Sequence, residues 1–324
     1  MKYTELGNTG IKVSRICVGG MSFGKIIEGG HQWTLDEDAT KDMIEHALDL
    51  GVNFIDTANQ YADGTSEEFI GKAIKNLGVP RDQVVIASKV YYNEGHLSRA
   101  AIRREIEGTL TRLQTDYLDL YQIHRFDYDT PMEETMETLN ELVQEGKVRA
   151  LGASAMYGYQ FHNLQIIAEE NGWTKFSTMQ NHYNLLYRED ERELIPVCEQ
   201  YGVSRIPYSP LAGGHLTHLG WHSGSKRSDT DTILQHKYDS YMEEDLVIVN
   251  RVNELAEKYG VSMTEIALAW QFAKGVAAPI VGATKVPHFD QAVRSVDMEL
   301  TEEDVKYLEE TYTCRELVGL IQHA

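Results

Sequence analysis

Short apolar runs alternate with helical patterns along most of this chain, and that alternation restricts its fold more than any other feature. Repeated strand–helix units imply a parallel sheet with right-handed crossovers. Eight such runs favour an α/β fold of the closed (β/α)8 TIM-barrel type over a doubly wound sheet. The eight predicted strands span residues 13–20, 52–56, 84–89, 117–124, 148–154, 176–180, 202–208 and 278–282.

Several segments add to the predicted barrel. The residues through Ile11 have the pattern of a β-hairpin, which we expect to plug one barrel end. Residues 212–244 are rich in Gly, Ser, His and Asp and are too long for a barrel turn, which is typical of a functional or disordered loop. Residues 246–259 predict an extra helix, and a capping-box pattern begins at Thr65. No linker divides the chain, so we expect one barrel domain over residues 1–324.

Composition narrows the classes of protein to which the chain can belong. Its 324 residues carry a net charge of −20, which opposes binding to nucleic acid and to anionic membranes. The three cysteines form no recognisable disulfide or metal pattern, as in a reducing compartment. No uncharged apolar run approaches the roughly 20 residues that span a membrane. We therefore expect a cytoplasmic protein that has neither nucleic acid nor membrane as a partner, and a homo-oligomer is compatible with these features.

Four polar residues stand at or just beyond the ends of three successive predicted strands. Asp56, Lys89 and His124 each end an apolar run, and Tyr61 follows Asp56 in the next turn. Strand side chains alternate between faces, so Phe54 and Asp56 share one face. The carboxyl ends of the strands carry the catalytic residues in TIM barrels. The sequence therefore predicts that these four side chains meet at one barrel end.

These four residue types suit proton transfer to a carbonyl oxygen. Free tyrosine titrates near pH 10, and an adjacent ammonium such as Lys89 lowers the pKa of a phenol. A carboxylate such as Asp56 keeps that ammonium charged, and an imidazole such as His124 can hydrogen-bond the carbonyl oxygen. Taken singly, each residue is more often packing or solvated surface. The ordered set favours a catalytic site that protonates oxygen while hydride reaches carbon.

A histidine-rich segment raises the question of a metal. His215, His218 and His222 would share one face of a helix and could bind zinc. The same segment contains Gly213, Gly214 and Gly220 and lacks an apolar helical stripe. We therefore expect solvated loop histidines and no metal.

Six motifs in a fixed order extend the pattern along the chain. They are Asp56-Thr-Ala-Asn-Gln-Tyr61, Ser88-Lys89, Gln122-Ile-His124, Gly152-Ala-Ser154 with Gln180-Asn-His-Tyr-Asn184, Pro207-Tyr-Ser-Pro-Leu-Ala212 and Pro279-Ile-Val-Gly-Ala-Thr-Lys285. These motifs resemble the aldo-keto reductase superfamily, and the resemblance runs from Arg15 to about Val296. Within the superfamily, segments such as Gly20-Met-Ser-Phe-Gly24 and Asn181-His-Tyr-Asn184 most resemble bacterial reductases of the aryl-alcohol-dehydrogenase-like group.

The resemblance implies a nicotinamide cofactor, although the chain lacks a G-x-G-x-x-G turn. It places Tyr208 against the nicotinamide ring, where relatives often have Trp, and a Tyr can stack as well. It leaves the adenine contacts less well matched, because His288 and Ala292 stand where many relatives carry Gln and Asn. The implied cofactor contacts are Gly20, Met21, Asp56, Ser154, Gln180, Tyr208, Ser209, Leu211, Gly213, Arg227, Gly282, Thr284, Lys285, His288 and Gln291.

Two of these residues bear on the identity of the cofactor. Arg227 resembles a basic position in a loop that can close over the cofactor, and Lys285 lies in the predicted phosphate loop. Both cations suit a phosphomonoester. The alternative is that they are ordinary surface charges. The pair favours NADPH/NADP+ over NADH.

The leading interpretation is an NADPH-dependent reductase of a small-molecule carbonyl substrate, with Tyr61 as the proton donor. One alternative is a cofactor-holding regulatory protein that resembles potassium-channel β subunits. Those proteins have Asn at the position of His124, so His124 favours an enzyme. A further alternative is a Schiff-base aldolase that acts through Lys89. The sequence does not identify the substrate, whose determinants we expect near Trp33, residues 91–92 and 125–126, and in the tail from Tyr312.

Overall fold

A computed structural model describes residues 1–320 and confirms the predicted barrel. Its eight-stranded sheet is parallel throughout, with neighbouring strands in the order β10-β3-β4-β5-β6-β7-β8-β9. A separate antiparallel hairpin, β1–β2, precedes it. The strands are β1 (Tyr3–Glu5), β2 (Lys12–Ser14), β3 (Cys17–Gly19), β4 (Phe54–Asp56), β5 (Val85–Val90), β6 (Leu118–Ile123), β7 (Val148–Ser154), β8 (Phe176–Gln180), β9 (Ser204–Arg205) and β10 (Ile280–Val281).

Backbone hydrogen bonds close the sheet into a barrel between its last two strands. Ala277 N donates to Arg205 O at 2.9 Å, and Ile280 N donates to Pro207 O at 2.9 Å. Both bonds join the β9 segment to the β10 segment. The two edges of the sheet therefore meet, and the chain leaves no open sheet edge at this seam.

Helices cover the outside of the barrel, where their buried apolar residues pack against the strands. Helix α2 is capped by Gly64 with no side-chain cap, so the capping box predicted at Thr65 is wrong. A complete capping box forms instead between Ser262 and Glu265 at the start of α10. The helices are α1 (Glu37–Asp49), α2 (Thr65–Asn76), α3 (Arg99–Leu113), α4 (Met132–Gln144), α5 (Gly158–Asn171), α6 (Leu194–Gln200), α7 (Lys226–Thr230), α8 (Thr232–Tyr238), α9 (Met242–Tyr259), α10 (Met263–Ala273), α11 (Pro287–Ser295) and α12 (Glu302–Glu309).

The N-terminal hairpin fills the end of the barrel where its strands begin. Leu6, Ile11 and Val13 are buried in one apolar cluster with inward side chains such as Phe54 and Leu120. Val13 lies in β2 of the hairpin, so the first barrel strand begins later than predicted, at Cys17. The hairpin makes this end an apolar plug and leaves the opposite end for polar chemistry.

Strand alternation then sets what lies inside the barrel. Val85 and Ala87 point into the inner cluster, and Lys89 continues that inward row at the end of β5. Gly152 makes room at this level, because a Cβ there would lie 2.3 Å from Thr178 Oγ1 and 2.9 Å from Gln122 Cγ. The inside of the barrel therefore changes from apolar to polar towards the carboxyl ends of the strands.

The segment between β9 and β10 has more structure than a loop. It contains the short helices α7 and α8 before the long helix α9, which begins at Met242 and confirms the predicted extra helix. A second apolar cluster, which includes buried residues of α9 and α10, contains Leu216, Leu234 and Tyr238 of this segment. Within residues 1–320, no helix is both long enough and apolar enough to cross a membrane.

Candidate active site

Three successive strands deliver the predicted quartet to one end of the barrel. Asp56 ends β4, Lys89 is the next-to-last residue of β5, and His124 follows β6. Their side chains are almost completely buried, Lys89 fully so. Tyr61 lies in the turn between β4 and α2 and reaches the same place. The four residues thus meet, as their positions at strand ends predicted.

Lys89 is the centre of this site. Its Nζ donates to Asp56 Oδ2 at 2.6 Å, to the backbone oxygen of Thr57 at 2.7 Å and to Tyr61 Oη at 3.1 Å. An ammonium has three hydrogens. All three are therefore used, and the ammonium has a fixed direction towards the phenol.

Two side-chain amides bind the second oxygen of the Asp56 carboxylate. Gln122 Nε2 and Gln180 Nε2 each donate to Asp56 Oδ1 at 2.9 Å. Asp56 therefore accepts from both amides and from Lys89, which satisfies a buried charge. The sequence prediction assigned no site role to Gln122. Its signal was present, because Gln122 lies two positions before His124 on the same face of β6.

The pKa of Tyr61 differs from the sequence expectation. Burial raises the pKa of this phenol above its ordinary value, and the charge of Lys89 only partly opposes that rise. Burial also disfavours the charged form of Lys89, but Asp56 and Tyr61 outweigh it, so the net pKa of Lys89 is raised. Tyr61 is therefore protonated and Lys89 charged at neutral pH in the cofactor-free protein.

His124 faces Tyr61 as a neutral imidazole. The two ring centroids are 5.8 Å apart in an edge-on arrangement, and the ring centroid of Tyr92 lies 5.2 Å from that of His124. Burial lowers the pKa of His124 well below its usual value, and the charges of Lys89 and Arg125 lower it further. A neutral imidazole carries one N–H that can donate to an oxygen.

Comparisons with known proteins identify the family. The aldo/keto reductase family profile matches residues 15–313. This chain belongs to that family. It is 42% identical to a versiconal hemiacetal acetate reductase of Aspergillus parasiticus, with 96% of this chain and 97% of the relative covered. It is 43% identical to a putative aryl-alcohol dehydrogenase of Schizosaccharomyces pombe, with 96% and 95% covered. These two relatives are fungal, so the bacterial part of the resemblance stays a prediction.

A solved structure supports the same assignment. A crystal structure of a thermostable aldo-keto reductase in complex with the inhibitor epalrestat has a TM-score of 0.77 at 29% identity. The match covers 96% of this chain and 100% of that one. The aldo-keto reductase described here is therefore an NAD(P)H-dependent oxidoreductase built on the (β/α)8 barrel.

The predicted cofactor contacts of this aldo-keto reductase lie around the same barrel end. They lie at the carboxyl ends of six strands: Gly20 and Met21 follow β3, Asp56 ends β4, Ser154 and Gln180 end β7 and β8, Tyr208, Ser209, Leu211 and Gly213 follow β9, and Gly282, Thr284 and Lys285 follow β10, with Arg227 in α7 and His288 and Gln291 in α11. Two of them suit a polar ligand. Ser154 Oγ and Tyr208 Oη are buried and have no hydrogen-bond partner within residues 1–320.

Tyr208 is supported by an aromatic stack that the sequence prediction did not include. The His182 ring lies nearly parallel to Tyr208 at 5.2 Å, and Tyr187 stacks on His182 at 4.2 Å. His182 is also bonded to Tyr238 Oη at 2.8 Å. These contacts hold Tyr208 in place, and no sequence spacing would have revealed them.

The two predicted phosphate cations differ in their surroundings. Arg227 lies in α7, where its guanidinium is 4.3 Å from the Trp33 ring and 3.3 Å from Asp231 Oδ2. Lys285 is exposed, and its ammonium makes no ion pair and no hydrogen bond in the described part of the chain. Nothing in the described contacts joins Arg227 to Lys285. Lys285 is therefore the cation that is free to meet a phosphate without first breaking an ion pair.

Two of the three clustered histidines in the β9–β10 segment, His215 and His218, make contacts within the protein. His215 is buried, stacks on Trp221 at 4.0 Å, and has Nδ1 3.1 Å from the Trp221 backbone oxygen. His218 Nδ1 is 3.0 Å from the Gly214 oxygen. Over residues 1–320, no three His, Cys, Asp or Glu side chains converge as metal ligands would. The expectation that all these histidines are solvated is wrong for His215.

Proposed function

We propose that this aldo-keto reductase uses NADPH to reduce aldehydes and ketones to alcohols, with Tyr61 as the general acid. Hydrogen bonding at the phenol carries the proposal. Tyr61 Oη accepts a hydrogen from Lys89, so its own hydrogen is free to be donated. Among residues 1–320, no acceptor takes that hydrogen. Its raised pKa keeps that proton in place until an oxygen arrives.

The neighbours of Tyr61 have complementary roles in this proposal. Asp56 keeps Lys89 charged and aimed, and Gln122 and Gln180 keep Asp56 in place. Lys89 stabilises the phenolate that Tyr61 becomes after it gives up its proton. His124 donates its single N–H to the carbonyl oxygen and so fixes the substrate beside Tyr61.

We propose that the cofactor binds at the barrel end that holds the quartet. When bound, NADPH would supply the hydride. We assign its carboxamide to Ser154 and Gln180 and its nicotinamide face to Tyr208; the buried, unpartnered oxygens of Ser154 and Tyr208 support a polar ligand here. Lys285 would hold the 2′-phosphate. We assign the remaining contacts to Gly20, Met21, Asp56, Ser209, Leu211, Gly213, Arg227, Gly282, Thr284, His288 and Gln291.

We further propose that residues 1–324 form one barrel domain that works in the cytoplasm on small carbonyl compounds. The net charge of −20 argues against nucleic acid and anionic membranes as partners. The quartet completes the proton transfer without a Lewis acid, so we propose no metal.

The test is a panel of aromatic aldehydes and ketones scored by consumption of NADPH, with Tyr61→Phe as the matched variant. The wild type should turn over several aldehydes. Tyr61→Phe should lower kcat by about 10²–10⁴-fold, the contribution of a positioned general acid, and should bind NADPH nearly as well as the wild type. Retention of more than about a tenth of kcat, where chemistry limits the rate, would transfer the donor role to His124.

A further inference from the structure

A half-buried lysine without a partner lies beside the proposed nicotinamide site. Lys237 lies in α8, with Nζ 4.9 Å from the centroid of the Tyr208 ring. Its ammonium makes no ion pair and no hydrogen bond within residues 1–320. Every other described lysine that is not exposed has an acidic partner. Those paired lysines are Lys41, Lys72, Lys89, Lys147 and Lys274.

A second unpaired cation lies beside the proton-transfer residues. Arg125 follows His124 directly, and its Nη1 donates to the backbone oxygen of His124 at 2.8 Å. Its guanidinium lies 5.7 Å from the ring of Tyr92, which contacts His124. No acidic side chain pairs with it in the described residues. The guanidinium therefore keeps most of its five donors for something else.

Both cations lie at the barrel end that holds the quartet, because Arg125 follows β6 and Lys237 lies against Tyr208, which follows β9. Arg125 has the strongest charge effect on Lys237, and after burial it helps to lower the pKa of Lys237 to about 8. Arg227 acts in the same direction, and Asp231 opposes both. Arg125 also influences the pKa of Tyr61 and of Tyr208. The pocket mouth therefore carries a local positive charge in a chain whose net charge is −20.

Leaving a desolvated cation unpaired is unfavourable, and such groups occur where a ligand completes them. A guanidinium and an ammonium together suit an oxyanion, through the fork of the Arg and the point charge of the Lys. We propose that Arg125 and Lys237 bind an anionic group of the substrate, so that the enzyme prefers carbonyl compounds that carry a carboxylate. This inference rests on the proposed carbonyl reduction and names its substrate class.

The other source of an oxyanion at this place is the phosphate of the cofactor. Arg125 favours the substrate, because it is bonded to the residue that would orient the carbonyl group. Lys237 could bind either ligand, because the charge of Arg227, a proposed cofactor contact, also lowers the pKa of Lys237. The experiment must therefore measure the two ligands separately.

The test compares an anionic aldehyde with its neutral methyl ester, 4-carboxybenzaldehyde and methyl 4-formylbenzoate, together with their 3-substituted isomers. At pH 7 the wild type should favour the acid over the ester in kcat/KM by at least about tenfold, the lower range for a hydrogen bond to a charged group. Lys237→Met and Arg125→Gln should each lower that ratio by about tenfold, mainly through KM for the acid. Lys226→Met, which removes an exposed lysine of the same segment, should leave the ratio unchanged.

Each outcome has a distinct meaning. An acid-to-ester ratio near one for both isomer pairs overturns the anion site and leaves the proposed carbonyl reduction intact. A tenfold weaker Kd for NADPH in Lys237→Met, with an unchanged ratio, assigns this cation to the cofactor phosphate and also overturns the inference. Absence of NADPH-dependent turnover with every aldehyde overturns the proposed function itself, and this inference with it.

Discussion

At the scale of single residues, Lys89 and Tyr61 act as one unit. Lys89 is fully buried, and one of its three hydrogen bonds goes to the phenol. Removing either residue disables the same proton transfer, so the losses should not add. We expect Tyr61→Phe, Lys89→Met and the double variant to lose similar factors in kcat, each about 10²–10⁴-fold. Single-turnover reduction of an aldehyde would measure this.

Tyr92→Phe is the matched control for these variants, because it removes a hydroxyl at the same pocket mouth that does not contact Lys89. Its kcat should fall by well under about tenfold. Fully additive losses in the double variant would mean that Lys89 and Tyr61 act on different steps.

The pKa shifts at the site predict how reduction depends on pH. The pKa of His124 is lowered well below its usual value, first by burial, so the imidazole stays neutral as the pH falls through 6.5. The pKa of Tyr61 is raised, so the donor form persists as the pH rises. We expect kcat for reduction to stay flat as the pH falls through about 6.5 and as it rises through about 10, where free histidine and free tyrosine would titrate. An inflection near pH 6.5 that disappears in His124→Asn would contradict this assignment.

At the scale of elements, a buried ion pair fastens the C-terminal tail to α9. Arg315 donates to Asp245 at 2.6 and 3.0 Å, and its guanidinium lies between the rings of Tyr241 and Tyr312. The tail then reaches Tyr208, because a Cβ at Gly319 would lie 2.8 Å from Tyr208 Oη. The ion pair therefore positions the C-terminal tail against Tyr208, the proposed contact of the nicotinamide ring.

Breaking this pair should release the tail. Arg315→Met leaves Asp245 buried and unpaired, a change that costs about 3–5 kcal/mol when the segment cannot move away. We expect faster proteolysis of the C-terminal residues and a lower melting temperature. The double variant Asp245→Leu with Arg315→Met removes both charges and should lose less than Arg315→Met alone. Equal losses would show that the packing of Arg315, and not its charge, holds the tail.

At the scale of the whole molecule, the proposed cofactor contacts come from six different strand ends, so binding should stabilise the entire barrel. A ligand present at 100 times its Kd adds about 2.7 kcal/mol to the free energy of unfolding. We expect NADPH to raise the melting temperature by several degrees and NADH to raise it less at equal concentration. Calorimetry or dye-based thermal unfolding would measure both shifts.

Lys285→Met tests the origin of that difference, because Lys285 is exposed and unpaired in the described chain. A charged hydrogen bond is worth roughly 1.5–3 kcal/mol, or about 10- to 150-fold in Kd. The variant should lose that factor for NADPH and keep its affinity for NADH, whereas Lys226→Met should change neither. Equal losses for both cofactors would remove Lys285 from the 2′-phosphate site.

The sequence by itself determined the barrel and the meeting of the quartet. Parallel strands share one direction, so residues at their carboxyl ends must gather at one barrel end, and the alternation of Val85, Ala87 and Lys89 fixes which side chains point inward. These patterns can be read from the sequence because the residues that define them lie within a few positions of one another in the chain.

Only the tertiary structure decided the contacts made by loops and by the tail. Lys237 meets Tyr208, and Gly319 approaches the same hydroxyl, through folding of the β9–β10 segment and the C-terminus. The raised pKa of Tyr61 also depends on the folded structure, because the effect of burial on this pKa outweighs that of the neighbouring Lys89 ammonium. Burial and contacts between distant segments have no periodic signature, so the chemistry at the pocket mouth depends on the folded molecule.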